Sequence, residues 1–517
     1  MTLEERLGQL LRQARADAQA ERSEVLDCFD TEAFHVLVIG GGATGLGVAV
    51  DAASRGLRTA IVEALDWAAG TSSRSTKLVH GGVRYLEQMD FGLVREALHE
   101  RGLLHANAPH LVHPLSFIVP SFKWWEGPFY GTGLKLYDAL AGRLNLKPSR
   151  LMTREEVIAR IPNVHLDGLR GGVEYHDGQF DDARLAISLL RTAQAHGAVA
   201  ARSLRVHALV QDGGRVSGAE ARCGITGRTV RIRARAVVNC TGIFADSIRT
   251  MESPDARPMI EPAQGVHVVL DRTFQPSDTA IMVPHTDDGR VLFVIPWHGH
   301  TLIGTTDIPR PAPEENPQPT EEEIGFILHN AGRYLQRVPG RDDVLAAFAG
   351  MRPLVHEGGI DGTASKHVSR GHVVQVGDSG LVSVMGGKWT TYRRMAQDGV
   401  DHAVAVADLP AGPCITERLS VHGAIERTDP RWPADEWLQV YGSEAEAVQA
   451  LMAREPALAA PLHAALPYTG AALWWGLRHE QAQTVDDLLH RRIRAGLLHA
   501  RATHDIADRI APMLEGF

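Results

Sequence analysis

Cysteine is scarce in this chain and nowhere paired. Only Cys28, Cys223, Cys240 and Cys414 occur among 517 residues, with no CxxC and no metal-ligand spacing. That argues against a disulfide scaffold and against a thiolate-held zinc or iron–sulfur site, and it fits a reducing compartment. No HExxH occurs among the 25 histidines, so no metal centre is expected. An excess of positive charge is also missing, since the formal net charge is −9. Bulk electrostatics offers nothing to nucleic acid, and any basic site has to be local. Long apolar runs are absent as well. The longest apolar-plus-glycine stretch, Val36 to Val50, stops at Asp51 and is broken by glycines, so no membrane span is expected. The opening MTLEERLGQLLRQARADAQAERSE is too charged for a secretory signal. Its Leu3, Leu7, Leu10 and Leu11 fit one face of a helix that packs on the main body, with a partner or membrane-surface contact as the alternative.

What is present is glycine at particular spacings. Val36–Ile39 reads as a buried strand, and Gly40, Gly42 and Gly45 follow as G-x-G-x-x-G. A helix with Val48, Ala49, Ala52 and Ala53 on its apolar side comes next. A second strand, Leu57 to Val62, ends at Glu63, 18 residues after Gly45. Glycines permit the tight turn and let backbone approach a pyrophosphate. The helix N-terminus, with Ala43 and Thr44, offers free N–H groups, and the acid accepts from ribose hydroxyls. The motif alone is weak; strand, helix, strand and acid in order point to a dinucleotide. Glutamate argues against NADP but does not separate NAD from FAD.

Further along, WAAGTSSRST (Trp67 to Thr76) is a small polar loop suited to lie against a cofactor. It leads into STKLVHGGVRYLE, where Lys77, His80 and Arg84 surround Gly81-Gly82. ARAVVNCTG (Ala234 to Gly242) reads as another buried strand ending in a glycine turn. QGVHVVL (Gln264 to Leu270) alternates like a strand with His267 midway. Val291–Pro296 and Thr301–Asp307 read as a hairpin pair. Pro309–Pro319 should be a surface loop, and Glu321–Leu335 an amphipathic helix. In GLVSVMGGKWTTYRRMAQ the strand Leu381–Met385 gives way to Gly386-Gly387, Lys388 and a helix from about Thr390. A lysine and a helix dipole there would stabilise negative charge. After Leu409-Pro410 the composition turns to Ala, Leu, Arg and His with helical periodicity. The arginines of VDDLLHRRIRAGLLHARA read as a solvated face.

These blocks, in this order, closely resemble the FAD-dependent glycerol-3-phosphate dehydrogenases. VIGGGATGLGVAVDAASRGL, TSSRSTKLVHGGVRYLE, GQFDDARL, NCTG, QGVHVVL, LIGTTD, GMRPLV and MGGKWTTYRRMA carry the resemblance over about residues 34–400. It implies an α/β (α+β overall) flavoprotein related to D-amino-acid oxidase. A Rossmann-like FAD-binding domain would come from segments 34–110, 171–255 and 366–405. An interleaved antiparallel-sheet substrate domain would occupy 111–170 and 256–365, after an N-terminal helical extension at 1–33 and before a C-terminal α-helical domain at 406–517. The implied reaction is oxidation of sn-glycerol 3-phosphate to dihydroxyacetone phosphate, by hydride transfer from C2 to FAD N5. Electrons would pass to a membrane quinone (ubiquinone or menaquinone), with the enzyme peripheral on the inner, cytoplasmic face of the membrane. An O2-using oxidase is the runner-up; that sister group usually carries an insertion for which this chain has little room.

The resemblance also implies roles. Arg84, Tyr85 and Arg370 belong to the substrate pocket, with the two arginines at the phosphate. Arg352 lies nearer the reacting carbon, and Lys388 lies close to the flavin. His267 is the leading base, and His80 is second. The cofactor is expected to touch Gly40, Gly42, Ala43, Thr44, Gly45, Glu63, Thr71, Ser72, Ser73, Ser75, Lys77, Leu78, Val206, Thr241, Gly242, Gly387, Lys388, Trp389 and Thr390. Three positions depart from the pattern. Gln264 stands where many relatives have lysine, Gly371 where an acid is common, and Trp389 where leucine is common. The first suggests a missing pocket cation. PSFKWWEGPFYGTGLKLY (Pro120 to Tyr137) suits a membrane interface, an ordinary core segment or a homodimer contact.

Overall fold

A computed structural model describes residues 2–83, 90–356, 360, 368–369 and 371–514. Two sheets organise it. In the first, strands Ala33–Ile39, Thr59–Val62, Val199–Ala201, Thr229–Asn239 and Val382–Gly386 run parallel, with Ala33–Ile39 and Thr229–Asn239 adjacent near the centre. Helix Ala43–Ser54 crosses over between the first two of these strands. His372–Val376 adds antiparallel at one edge, and the hairpin Leu204–Asp212/Arg215–Cys223 extends Thr229–Asn239. The strands are buried on both faces, so they read as continuous apolar runs. This is the doubly wound, dinucleotide-binding architecture.

Among the described residues the second sheet has 11 strands and is antiparallel except where Thr279–Val283 meets Val112–Ser121. Its centre pairs Ile260–Asp271 with His300–Gly304 on one side and with Val344–His356 on the other. Helix Glu321–Gly332 starts at a Thr320/Glu323 capping box and packs Ile324, Ile327 and Leu328 beneath this sheet.

One boundary differs from the sequence reading. Gly171–Phe180, expected in the cofactor domain, pairs along its whole length with Val112–Ser121 in the second sheet. The chain returns to the first sheet only at helix Asp182–Ala195. The N-terminal segment is one helix, Leu3–Thr31, opened by a Thr2/Glu5 capping box. It packs on the main body, as its leucine spacing predicts: Leu7, Leu11 and Ala14 join the core of the C-terminal helices, while Leu26 and Phe29 close the first sheet. Beyond residue 410 the chain is mostly helical, with one small hairpin, Pro461–His463/Leu466–Thr469. Among the described residues no helix is long and apolar enough to cross a membrane.

Candidate active site

The glycine turn leaves the carboxyl end of strand Ala33–Ile39 at the edge of a cavity of about 1310 Å³ that lies between the two sheets. Gly40 has φ +110°, and a Cβ there would sit 2.5 Å from the Cys240 carbonyl oxygen. A Cβ on Gly45 would collide with the Gly40 carbonyl oxygen, so only glycine lets the helix pack onto its strand. The N–H of Ala43, in the helix's first turn, is taken by Ser72 Oγ at 2.9 Å. The helix end and the loop Thr71–Thr76 thus form one wall.

Glu63 lines the same cavity at the end of the second strand. Its carboxylate accepts from the Gly41 N–H at 2.6 Å and the Leu65 N–H at 2.8 Å, while burial raises its pKa. Each oxygen keeps a further lone pair for a ribose hydroxyl. Glycines without room for a Cβ, a helix N-terminus at the cavity edge and a strand-end acid are what an FAD pyrophosphate and ribose require, so this donor set fits the cofactor.

Across the cavity stands the second sheet. His267 projects from Ile260–Asp271, stacked on Phe348 with ring centroids 4.9 Å apart. Its Nε2 lies 3.0 Å from Thr76 Oγ1, and its Nδ1 has no hydrogen-bond partner among the described residues. Burial, then the charges of Lys77 and Arg352, hold its pKa well below the usual histidine value. Burial thus favours the neutral imidazole. Arg352 donates from Nη1 to Asp307 Oδ1 (2.9 Å) and Thr306 O (3.1 Å), and from Nη2 to Thr305 Oγ1 (3.1 Å).

The third wall is the turn after Val382–Gly386. Gly386 and Gly387 have φ of +73° and +72°, which only glycine adopts without strain. Lys388 then begins the 3-10 turn that opens helix Tyr392–Ala407, and Trp389 Nε1 donates to the Ser72 carbonyl at 2.9 Å. The His80 N–H donates to Thr390 Oγ1 at 3.2 Å. Burial, then Lys388 and Arg101, push the His80 pKa down to about 3.

Most of the expected residues meet here. Gly40, Gly42, Ala43, Thr44, Glu63, Thr71, Ser72, Ser75, Leu78, Val206, Thr241, Gly242, Gly387, Lys388, Trp389 and Thr390 border the cavity, as do His80, His267 and Arg352. Arg84, Tyr85 and Arg370 lie outside the described residues. Gly45 and Ser73 sit just behind the wall. Lys77 is also behind it: the side chain is fully buried, and its ammonium bonds Asp182 (2.7 Å) and the Ser73 carbonyl (2.8 Å) instead of facing a cofactor. The two glycines after His80 divide their work. Gly82, at φ +78°, borders the cavity, whereas a Cβ on Gly81 would meet Leu98 at 2.6 Å.

The suspected loss of a pocket cation at Gln264 does not hold. Strand alternation turns Gln264 to the other face of the sheet from His267, where it donates to Glu323 at 2.8 Å. Gly371 does border the cavity, and its carbonyl accepts the Gly387 N–H at 3.1 Å. Of the four arginines in VDDLLHRRIRAGLLHARA, Arg501 is exposed but the other three are not a solvated face. Arg491, Arg492 and Arg494 are buried and paired with Asp66, Asp487 and Asp182. Sequence reasoning missed Thr76, Asp307 and Asp182. Thr76 lies within TSSRSTKLVHGGVRYLE, Asp182 within GQFDDARL, and Asp307 closes TLIGTTD, so each stands in a block that the sequence makes visible.

The fold and site define a flavin-dependent oxidoreductase. A family model described as FAD dependent oxidoreductase matches residues 35–393, and one for the C-terminal domain of alpha-glycerophosphate oxidase matches 414–516. The chain belongs to the glycerol-3-phosphate dehydrogenase family of FAD-dependent oxidoreductases. It is 40% identical to the probable mitochondrial glycerol-3-phosphate dehydrogenase of Caenorhabditis elegans, over 99% of this chain and 74% of that one. It is 39% identical to the mitochondrial enzyme of Homo sapiens, over 96% and 72%. The solved glycerol-3-phosphate dehydrogenase of Bacillus halodurans, complexed with FAD, superposes with a TM-score of 0.78 at 29% identity, covering 96% of this chain and 92% of that one.

Proposed function

We infer that this chain oxidises sn-glycerol 3-phosphate to dihydroxyacetone phosphate. The observation that carries the reading is the meeting of His267, Arg352, Lys388 and the glycine turn on one cavity. The relatives' printed names supply the substrate. FAD, when bound, supplies the acceptor for the hydride that leaves C2.

His267 takes the C2 hydroxyl proton. It borders the cavity, burial favours its neutral form, and its Nδ1 makes no hydrogen bond among the described residues. The cations that disfavour its protonation are offset when a phosphate dianion enters. Arg352 holds the reacting oxygen, with its own geometry set by Asp307 and Thr305. Lys388 supports negative charge at the cofactor side. Arg84 and Arg370, by the family resemblance, take the phosphate. A substrate deuterated at C2 should slow anaerobic flavin bleaching several-fold; bleaching at an unchanged rate would contradict C2–H cleavage in the measured step.

Electrons then pass to a membrane quinone. Supporting this is a patch around helix Glu126–Ala141, where Trp124 is 78% exposed, Leu151 62% and Phe129 55%. Residues 121–154 hold six lysines and arginines against two acids, in a chain of net negative charge. Aromatic and basic residues together suit an anionic lipid interface. Trp124→Ala/Trp125→Ala protein should lose co-sedimentation with anionic vesicles; undiminished pelleting would move the contact elsewhere. Quinone reduction without hydrogen peroxide supports the dehydrogenase, and stoichiometric peroxide would favour the oxidase.

A further inference from the structure

The cavity wall Thr71–Thr76 is held from behind by a buried charge cluster. Asp182, at the start of helix Asp182–Ala195, is its centre. Its Oδ2 accepts from the Ser75 N–H (3.0 Å), Ser75 Oγ (2.7 Å) and Lys77 Nζ (2.7 Å). Its Oδ1 accepts from Arg494 Nη2 at 2.7 Å. The same Arg494 nitrogen donates to the Ser73 carbonyl at 2.9 Å, and Lys77 donates there at 2.8 Å. All three charged side chains are buried. The loop they hold ends in Thr76, whose hydroxyl touches His267 Nε2.

Arg494 belongs to the C-terminal domain, 312 positions from Asp182. It holds φ +62° at the start of the short helix Ala495–Leu498, and its guanidinium lies over Trp297 of the second sheet. One side chain therefore joins the C-terminal domain, the cofactor loop and the substrate sheet. Its Nη1 donates to the His490 carbonyl of its own domain, while Nη2 reaches the loop directly at the Ser73 carbonyl and indirectly through Asp182, which holds Ser75, so the contact fixes the loop's position as well as joining the domains.

We propose that Arg494 is a positioning residue for the active site: through Asp182 and the Ser73 carbonyl it sets the loop that forms the cofactor wall and carries Thr76 to His267. The effect on rate rests on the reading of His267 given above. The effect on cofactor environment does not.

The test uses FAD-loaded, full-length Arg494→Met and Arg494→Lys. Anaerobic stopped-flow reduction by glycerol 3-phosphate gives the limiting rate and the half-saturating concentration. Visible circular dichroism of the bound flavin gives its surroundings. A displacement of order 1 Å should lower the limiting rate by about 10- to 100-fold, and half-saturation should move by less than about threefold. The flavin dichroism should change in Arg494→Met and return toward wild type in Arg494→Lys. Wild-type rate and dichroism in Arg494→Met, with only a lower melting temperature, would overturn the proposal and leave Arg494 a structural fastener. If Arg494→Met yields no holoprotein, Asp182→Asn is read the same way. A wild-type flavin that glycerol 3-phosphate does not reduce would sink the substrate reading, while the dichroism comparison would still decide this one.

Discussion

The loop Thr71–Lys77 is held from two sides by opposite means. On the cofactor side, Gly40 and Gly45 work by having no side chains: helix and strand meet where a single Cβ would collide. On the far side the means is charge: Arg494 bonds the Ser73 carbonyl and Asp182, and beside it Arg491 and Arg492 close buried pairs with Asp66 and Asp487. One wall tolerates no added volume. The other tolerates volume far better than lost charge, because a buried ion left without its partner costs more than the pair gains. The first wall makes room for a ligand; the second keeps that room in register with the substrate sheet.

Substitutions should separate the two. Gly45→Val drives a side chain into the Gly40 carbonyl, so the expected outcome is colourless or insoluble protein, read from the 450 nm absorbance after purification. Normal flavin content would show that the turn is more plastic than its geometry. Arg492→Met leaves Asp66 short of its bidentate partner at 2.8 and 2.9 Å and should cost about 3–5 kcal/mol. Thermal denaturation measures this, and a melting point within a degree of wild type would mean that neighbouring arginines make up the charge. His267→Asn should slow flavin reduction by roughly 10²- to 10⁴-fold if it is the base. If His80→Asn is the slower variant, the two histidines exchange roles.

A smaller effect comes from pH. Burial pushes the pKa values of His80, His110 and His113 down to about 3, 3 and 4. Unfolded, each titrates near ~6.5. Between those values the unfolded chain binds protons that the folded one refuses, so stability is lost as pH falls below roughly 6.5. The melting temperature should drop between pH 7 and 5; a flat profile would mean that these rings ionise when folded. The smallest effect is predicted for Gln264→Lys. Gln264 faces Glu323 on the side of the sheet away from the cavity, so KM for glycerol 3-phosphate should stay within about twofold. A large fall in KM would mean that the lysine reaches the pocket.

The comparison also explains what could be read in advance. The glycine turn, Glu63 and the Gly386-Gly387 turn are legible because backbone geometry there demands a residue type within a few positions. His267 is legible because strand alternation gives it a face. The buried arginines are not, because Asp66 stands 426 positions from Arg492. Helical periodicity without that partner reads as a solvated stripe. The sheet to which Gly171–Phe180 belongs is illegible for the same reason: its neighbour, Val112–Ser121, decides it, and that pairing is long-range. Lys77 sits in a polar loop beside the cofactor wall, yet three-dimensional packing turns its ammonium inward to Asp182.

The central claim is that this cavity holds FAD and glycerol 3-phosphate together. Anaerobic titration of the purified flavoprotein, followed at 450 nm, tests it most directly. The account predicts full bleaching by one equivalent of sn-glycerol 3-phosphate, with little by glycerol or a hydroxy acid, and weakened binding in Arg352→Ala. Bleaching by a phosphate-free substrate, with none by glycerol 3-phosphate, would contradict it.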